Sequence, residues 1–353
     1  MSQRALAGLL GSLTVLAIVV GIALFGGRGA GRDEQLLLPE LKSQLNEVRR
    51  VVITGAGNQP IATLERGAEL WTVAERNNYP ADVGRLRKNL LALAEARIVE
   101  EKTSNPEFYE RLGVQDLADE GAGGVQLTLS AEQELASVII GQAPSGSADY
   151  VYARRAAEPT SWLITGQFDL GKTGGEWLDR LLTDIPAERI ESVTITHPGE
   201  AALRMSRPAK TPANPDDDSP DKADESAAVD AALDFAVEGI PTGRELSYPG
   251  VTNSIAVALA DLQLEDVQTR DALGSSPGKP VVARFVTTDG LVVEASAWQL
   301  ADGTRITFLA SGEGEAGKEA DALNARLGGW VYTLPTYKTE QFTRRLKDLL
   351  APK

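Results

Sequence analysis

Three short runs of β-forming residues each carry a tryptophan, and each tryptophan is followed at the same distance by a pair of leucines. The runs are "ELWTVAE" (Trp71), "TSWLITG" (Trp162) and "GGWVYTL" (Trp330). The pairs Leu90-Leu91, Leu181-Leu182 and Leu349-Leu350 follow 19 and 20 residues later. A spacing met three times points to one supersecondary unit used repeatedly. Two alternating strands precede each tryptophan: "VRRVVIT" and "PIATLER", "ASVIIGQ" and "DYVYARR", "LVVEASAWQL" and "TRITFLAS". After each tryptophan comes a turn region and then a helical pattern: "DVGRLRKNLLALAEA", "GGEWLDRLLTDI" and "TEQFTRRLKDLL". In the first, Leu86, Leu90, Leu91 and Leu93 mark an apolar helical face, and Asp82 is a suitable N-cap after Pro80. Two copies continue into a further strand, "ARIVEE" and "ERIESV".

The expected fold is therefore α+β: repeated antiparallel β-meanders, each with one open face covered by the following helix. In such a unit Trp71, Trp162 and Trp330 are core aromatics that pin helix to sheet. Punctuation divides the chain. "SNPEFYERLGV" has Asn105 as cap, Pro106 at the first helical position and Gly113 as stop, closing a first unit over residues 28–115. A second unit follows over 116–207. Residues 208–230, rich in Pro, Asp and Ala, read as a solvated linker. The third unit, 231–353, adds "AVDAALDFAVEGIP" and "NSIAVALADLQLEDV" as helical insertions.

The N-terminus supplies an address. Ala5 to Phe25 runs 21 residues without a charge, about 31 Å as a helix and close to the thickness of a hydrocarbon core. Arg28 and Arg32 surround the one candidate cleavage site, which favours an uncleaved anchor over a signal peptide. Residues 1–4 then form a short cytoplasmic head and 5–27 a single transmembrane helix. The rest is expected on the periplasmic side of a bacterial inner membrane, although the flanking cations are nearly balanced.

Charge and residue type narrow the chemistry. A formal charge of −15 disfavours nucleic acid and anionic lipid headgroups as partners, and the absence of cysteine removes thiolate catalysis and Cys-ligated metals. Gly312, Gly314 and Gly317 spell GxGxxG, and Gly312 to Lys318 spell GxxxxGK. Here Glu319 stands where Ser or Thr would hold magnesium, and Glu313 and Glu315 put carboxylates in the phosphate cradle. The strand that follows carries no acid for a ribose. No nucleotide is expected. His197, the one histidine, reads as a turn residue before Pro198, with no nucleophile elbow in the sequence. Asp216, Asp217, Asp218, Asp221, Asp224 and Glu225 lack the rhythm and the Gly of a calcium loop.

The segment Trp71 to Val114 combines a W-x-V run, a Tyr-Pro-Ala turn, a leucine-bearing helix and "NPEFYERLG". It resembles the bacterial domain-of-unknown-function family numbered 4340, as do "GGEWLDRLL" and "WVYTLPTYKTEQFTRRLKDLL", so that the resemblance covers most of residues 40–353 apart from the helical insertion. The resemblance implies membrane-anchored, exported proteins, some associated with ABC-type transport or gliding motility. It transfers no catalytic residue. The expectation is a non-enzymatic accessory or scaffolding subunit of an envelope complex, with no cofactor and no metal, whose partner is an ABC-transporter permease or another envelope protein. The alternative is an exported small-ligand or glycan binding module, for which Trp177 and Trp298, outside the repeated position, are the candidate cleft aromatics.

Overall fold

The computed structural model describes residues 35–207, 235–248 and 250–352. The anchor at 5–27, its head and the acidic linker at 208–230 lie outside the described residues. Among those described, no helix is long and apolar enough to cross a membrane.

The chain is α+β, with large antiparallel sheets and few helices. It opens with helix α1 (Leu41–Gln44) and strands β1 (Arg50–Thr54), β2 (Pro60–Arg66), β3 (Trp71–Val73) and β4 (Tyr79–Pro80). Helix α2 (Val83–Ala94), β5 (Ile98–Thr103) and α3 (Tyr109–Leu112) follow. Next come β6 (Val125–Ser130), β7 (Glu134–Ile140), β8 (Tyr150–Arg155), β9 (Ser161–Thr165) and β10 (Leu181–Thr183). The strands β11 (Ile190–Thr196), β12 (Leu203–Ser206) and β13 (Ala236–Val237) precede α4 (Asn253–Ala256), β14 (Leu262–Gln263) and β15 (Asp266–Thr269). The last part holds β16 (Val281–Thr287), β17 (Val292–Leu300), β18 (Gly303–Ser311), α5 (Gly314–Leu327), β19 (Trp330–Thr333), α6 (Thr336–Thr343) and α7 (Leu346–Leu349).

Two compact units form, and they cut across the divisions at 28–115, 116–207 and 231–353 expected from the sequence. The first joins the described residues up to Ile61 to Gly84–Leu170; the second joins Ala62–Val83 to the described residues from Gly171 onward. Sequence order cannot show this, because the chain changes unit inside β2 and returns at the start of α2.

The first unit has strands in the order β1-β6-β7-β8-β9-β5, all antiparallel. Val51 and Ile53, Leu127 and Leu129, Val138 and Ile140, Val151 and Ala153, and Ile164 alternate along their strands and are buried together. Period-two alternation puts such a set on one face. On the other face, Ile139 meets Tyr109 and Val114 in a small second core. The segment 105–114 folds as read: the Asn105 side chain accepts from the Glu107 N–H, Pro106 opens the turn, and Gly113 ends α3 in the left-handed region. Arg154, 4% exposed, locks this plug. It stacks 4.8 Å from the Tyr109 ring centroid, donates from Nε to the Val114 carbonyl (2.8 Å) and pairs with Asp116.

The second unit holds an antiparallel sheet in the order β13-β12-β11-β16-β17-β18-β19-β15 and a ribbon in which β3 pairs with β2 and β4. Its inward row of Ile195, Phe285, Val293, Ala295, Ile306 and Phe308 is buried. Helix α6 lies on β16 and β17, where Phe342 meets Phe285 and Phe308 edge-on at 5.6 and 5.8 Å.

Of the three helices expected after the tryptophans, α2 forms at the expected place with Leu86 and Leu93 buried, but Leu91, read as part of its apolar face, is exposed, and the buried stripe takes in Asn89 and Ala94 instead. The second does not form. Thr173 and Glu176 close a capping box around a single 3₁₀ turn, Gly174–Trp177, and the pair of glycines gives no propensity to continue it. Leu181 and Leu182 then lie on β10, one exposed and one buried, the alternation of a strand. The third helix is broken at Arg344, whose extended backbone separates α6 from α7. In the insertions, the described part of "AVDAALDFAVEGIP" carries strand β13, and "NSIAVALADLQLEDV" is one helical turn, a 3₁₀ turn and two short strands.

Each unit fastens a helix with an asparagine. Asn89 on α2, fully buried, accepts from the Asp169 N–H (2.9 Å) and donates to the Asp169 carbonyl (2.8 Å). Asn324 on α5 accepts from the Ala310 N–H and donates to the Ala310 carbonyl, both at 2.8 Å. Strand β18 pairs with β17 along its length but with β19 only at Ile306, so Ala310 has no strand partner on that side. A primary amide presents the same donor and acceptor as a peptide group and takes the strand's place. Leaving two such groups unpaired costs about 1–3 kcal/mol each when buried. Asn89→Ala and Asn324→Ala should therefore each lower the unfolding free energy by about 2–4 kcal/mol in urea titrations, against under ~0.5 kcal/mol for a surface change such as Arg87→Ala.

Candidate functional site

The first unit contains a cleft of about 380 Å³. Its floor is formed where β6 and β7 meet the chain leaving α3. There the Gln142 N–H donates to the Leu112 carbonyl (2.9 Å) and the Gly141 N–H to the Tyr152 carbonyl (2.8 Å). A Cβ at Gly141 would stand 2.2 Å from the Leu112 oxygen, so only glycine permits the approach. One wall is α2, which contributes Lys88. The loop after β9 adds Gln167, Phe168 and Leu170. Asn89 holds that loop to the helix through Asp169, and the Arg85–Asp169 pair (3.2 Å) reinforces it. Gln167 Nε2 donates to Asp149 (2.9 Å), fixing the rim.

Val125, Ile140, Val151 and Phe168 make the lining apolar, while Lys88, Tyr150 and Gln167 supply its polar side chains. This set offers one cation, a phenol and an amide to a ligand with an apolar body. It contains no carboxylate or imidazole to work as a general base, and no nucleophile–base pair. Among the described residues, no cluster of three or more acidic or histidine side chains is arranged to hold a metal ion.

None of the aromatics singled out in the sequence lines this cleft. Trp71, Trp162 and Trp330 all sit on strands, as expected, but half-buried rather than at the centre of a core. Trp330 meets the Tyr79 ring edge-on at 5.0 Å. Trp177 is fully buried in its 3₁₀ turn, where its carbonyl accepts from the Asp82 N–H (2.8 Å). With no exposed surface it offers a ligand no face to stack on, which removes it as a cleft residue. Trp298 is half-buried on β17, opposite Arg305, with Nε1 donating to the Gly278 carbonyl (3.3 Å).

The glycine-rich loop is a packing device. β19 returns antiparallel to β18, so no crossover to a parallel strand exists of the kind the dinucleotide fingerprint requires. A Cβ at Gly312 would lie 2.8 Å from the Ala316 carbonyl, and Gly314 turns the chain into α5 with φ +59°. Glu319, the departure from the phosphate-loop pattern, accepts two hydrogen bonds from Arg189 (3.0 and 2.7 Å), which also reaches Asp289 (2.8 Å). His197 follows β11 at a turn, buried, its Nε2 3.0 Å from the Thr343 carbonyl oxygen.

Sequence reasoning missed the buried cations. Lys338 on α6 donates to the carbonyls of Ala260 (2.7 Å), Val257 (3.3 Å) and Ala258 (3.4 Å), closing the end of a 3₁₀ turn. Burial lowers its pKa, opposed by Asp261 and Asp184. A Lys in "PTYKTEQF" carries no local sign of such a role.

With this geometry in place, the comparisons fall as follows. The family model described as a domain of unknown function, DUF4340, matches residues 71–241. That stretch belongs to the DUF4340 family. It opens on Trp71 and contains the Tyr109–Arg154 plug and every residue lining the cleft. It is narrower than the sequence suggested: "WVYTLPTYKTEQFTRRLKDLL" lies beyond the matched residues. No curated protein and no solved structure matches the chain.

Tyr79 and Tyr332 make the second unit sensitive to alkaline pH. Burial pushes the Tyr79 phenol up to about 12, opposed by its hydrogen bond with Tyr332, and burial raises Tyr332 as well. An unfolded tyrosine titrates near 10. A raised folded value means this stability is fully present below pH ~10 and is lost as pH rises towards 12. In an absorbance titration, Tyr79 and Tyr332 should ionise only above pH ~10, together with unfolding.

Proposed function

We propose that the chain is a membrane-anchored, exported accessory or scaffolding subunit of a bacterial envelope complex, serving an ABC-type transporter, with no chemistry of its own. The observation that carries this reading is the uncharged run Ala5–Phe25, long enough to span a bilayer once. The family resemblance supports the exported orientation that the flanking cations leave balanced. In this reading the folded part, with its large antiparallel sheets, presents surfaces to a permease, and residues 5–27 keep it beside its partner in the inner membrane.

The cleft in the first unit favours a second reading, an exported small-ligand binding module. Apolar walls with a few polar groups are the usual make-up of such sites. There Lys88, Tyr150 and Gln167 would select the ligand, in place of Trp177 and Trp298.

Full-length chain, cross-linked in native membranes, solubilised in mild detergent and identified with its partners by mass spectrometry, separates the two. Recovery of a permease and its ATPase, cross-linked to lysines of this chain, is the expected result. Recovery of the bait alone, together with a small molecule that raises its melting temperature and loses that effect in Tyr150→Ala, would replace the first reading with the second.

A further inference from the structure

Two polar groups of the cleft in the first unit have nothing to bind. Among the described residues, the Lys88 ammonium forms no ion pair and no hydrogen bond, and the hydroxyl of Tyr150, a residue 38% exposed, has no partner either. The acids around them are already engaged. Asp169 is held by Arg85 (3.2 Å), Asp149 accepts from the Gln167 amide (2.9 Å), and Glu95, about two turns beyond Lys88 on α2, is bound to Lys42 (3.0 Å). None of the three lines the cleft, where Lys88 is the one charged residue. Most of the other side chains there are apolar, and Val125, Phe168 and Leu170 among them are only half-buried.

Gly123 also lines the cleft, and the fold gives it no reason to be glycine. Its φ lies outside the left-handed region, and a Cβ there would meet only Gln142 Nε2 at 3.5 Å and the Gly113 Cα at 3.7 Å, which are ordinary contacts. What a side chain at 123 would take away is room beside Lys88 and Tyr150. A glycine that neither backbone nor packing demands is the kind that lets a ligand come close.

We propose that the cleft takes an anionic amphiphile, a small molecule with one carboxylate and an apolar body: the carboxylate accepts from Lys88 and Tyr150, and the body covers Val125, Phe168 and Leu170. The inference rests on the reading of the cleft as a small-ligand site and names the ligand's class. An unpaired ammonium beside apolar surface selects the opposite charge. A neutral ligand displaces the ammonium's water and returns a weaker acceptor, and a cationic one is repelled. The −15 of the whole chain does not decide the matter, because charges beyond about 8 Å are largely screened at physiological ionic strength. Every group named here lies in the stretch that matches DUF4340.

Three probes of one shape separate charge from fit: 3-phenylpropanoate, 3-phenylpropanamide and 3-phenylpropylamine. Each would be titrated by calorimetry into the full-length chain in mild detergent, with detergent alone as blank. The carboxylate should bind about fivefold tighter than the amide, the gain that one exposed ion pair supplies, and the amine should bind weakest. Lys88→Met keeps the side chain's length and removes its charge, so carboxylate and amide should then bind alike. Gly123→Phe fills the cleft and should abolish binding of all three. Equal binding of carboxylate and amide to the unaltered chain overturns the anionic class, as does a preference that survives Lys88→Met. In either case, loss of that binding in Gly123→Phe leaves the small-ligand site standing. No binding of any probe, or binding that Gly123→Phe leaves unchanged, overturns the site itself. The comparison of probes uses one protein, and Lys88 is an exposed helix residue with no partner to lose, so the test of the class does not depend on how Gly123→Phe folds.

Discussion

A single side-chain amide in each unit completes what the backbone leaves open. Asn89 and Asn324 each bind the N–H and C=O of one residue, Asp169 in the loop after β9 and Ala310 on β18, where Asn324 acts as a one-residue strand supplied by a helix. A β-sheet that ends in solvent can let water satisfy its edge, but one covered by a helix cannot. The amide resolves this conflict and sets the helix position at the same time. In the first unit it also fixes the loop carrying Gln167 and Phe168, so the shape of the cleft depends on the same contact that closes the core.

Buried cations play the corresponding part for loops. Arg154 gathers the carbonyls of Val114, Ala156 and Glu158 and the carboxylate of Asp116. Lys338 gathers three carbonyls around the turn at 257–260. Each charge is expensive to bury and becomes tolerable because several acceptors surround it. Such residues resemble active-site groups in their burial, but their partners are backbone oxygens within the fold, which marks them as fasteners.

Much of the local structure was legible. Strand positions before each tryptophan, the 105–114 turn with its Asn cap and Gly stop, helix α2, and the rejection of the glycine loop as a crossover motif all follow from short-range chemistry. The misreadings share one cause. The "GGEWLDRLL" segment has leucines at helical spacing, yet its glycines weaken the helix and β14 offers Leu181 and Leu182 a strand partner more than seventy residues away. Trp177 looked like a free aromatic because nothing near it in sequence buries it. The cleft was illegible for the same reason: Lys88, Gly141, Tyr150 and Phe168 have no shared spacing, and Asn89, which aligns them, reads as an ordinary polar residue of a helix.

The sequence by itself determined what each segment could become: which stretches alternate as strands, where the chain must turn, where an uncharged run could span a bilayer, and which chemistries its residue types cannot perform. These are properties of neighbours along the chain, set by propensity and periodicity. Only the tertiary structure decided which strands pair, and that one unit takes up Ala62–Val83 while the other resumes at Gly84. Those outcomes depend on which distant surfaces bury one another best, and no local pattern encodes that competition.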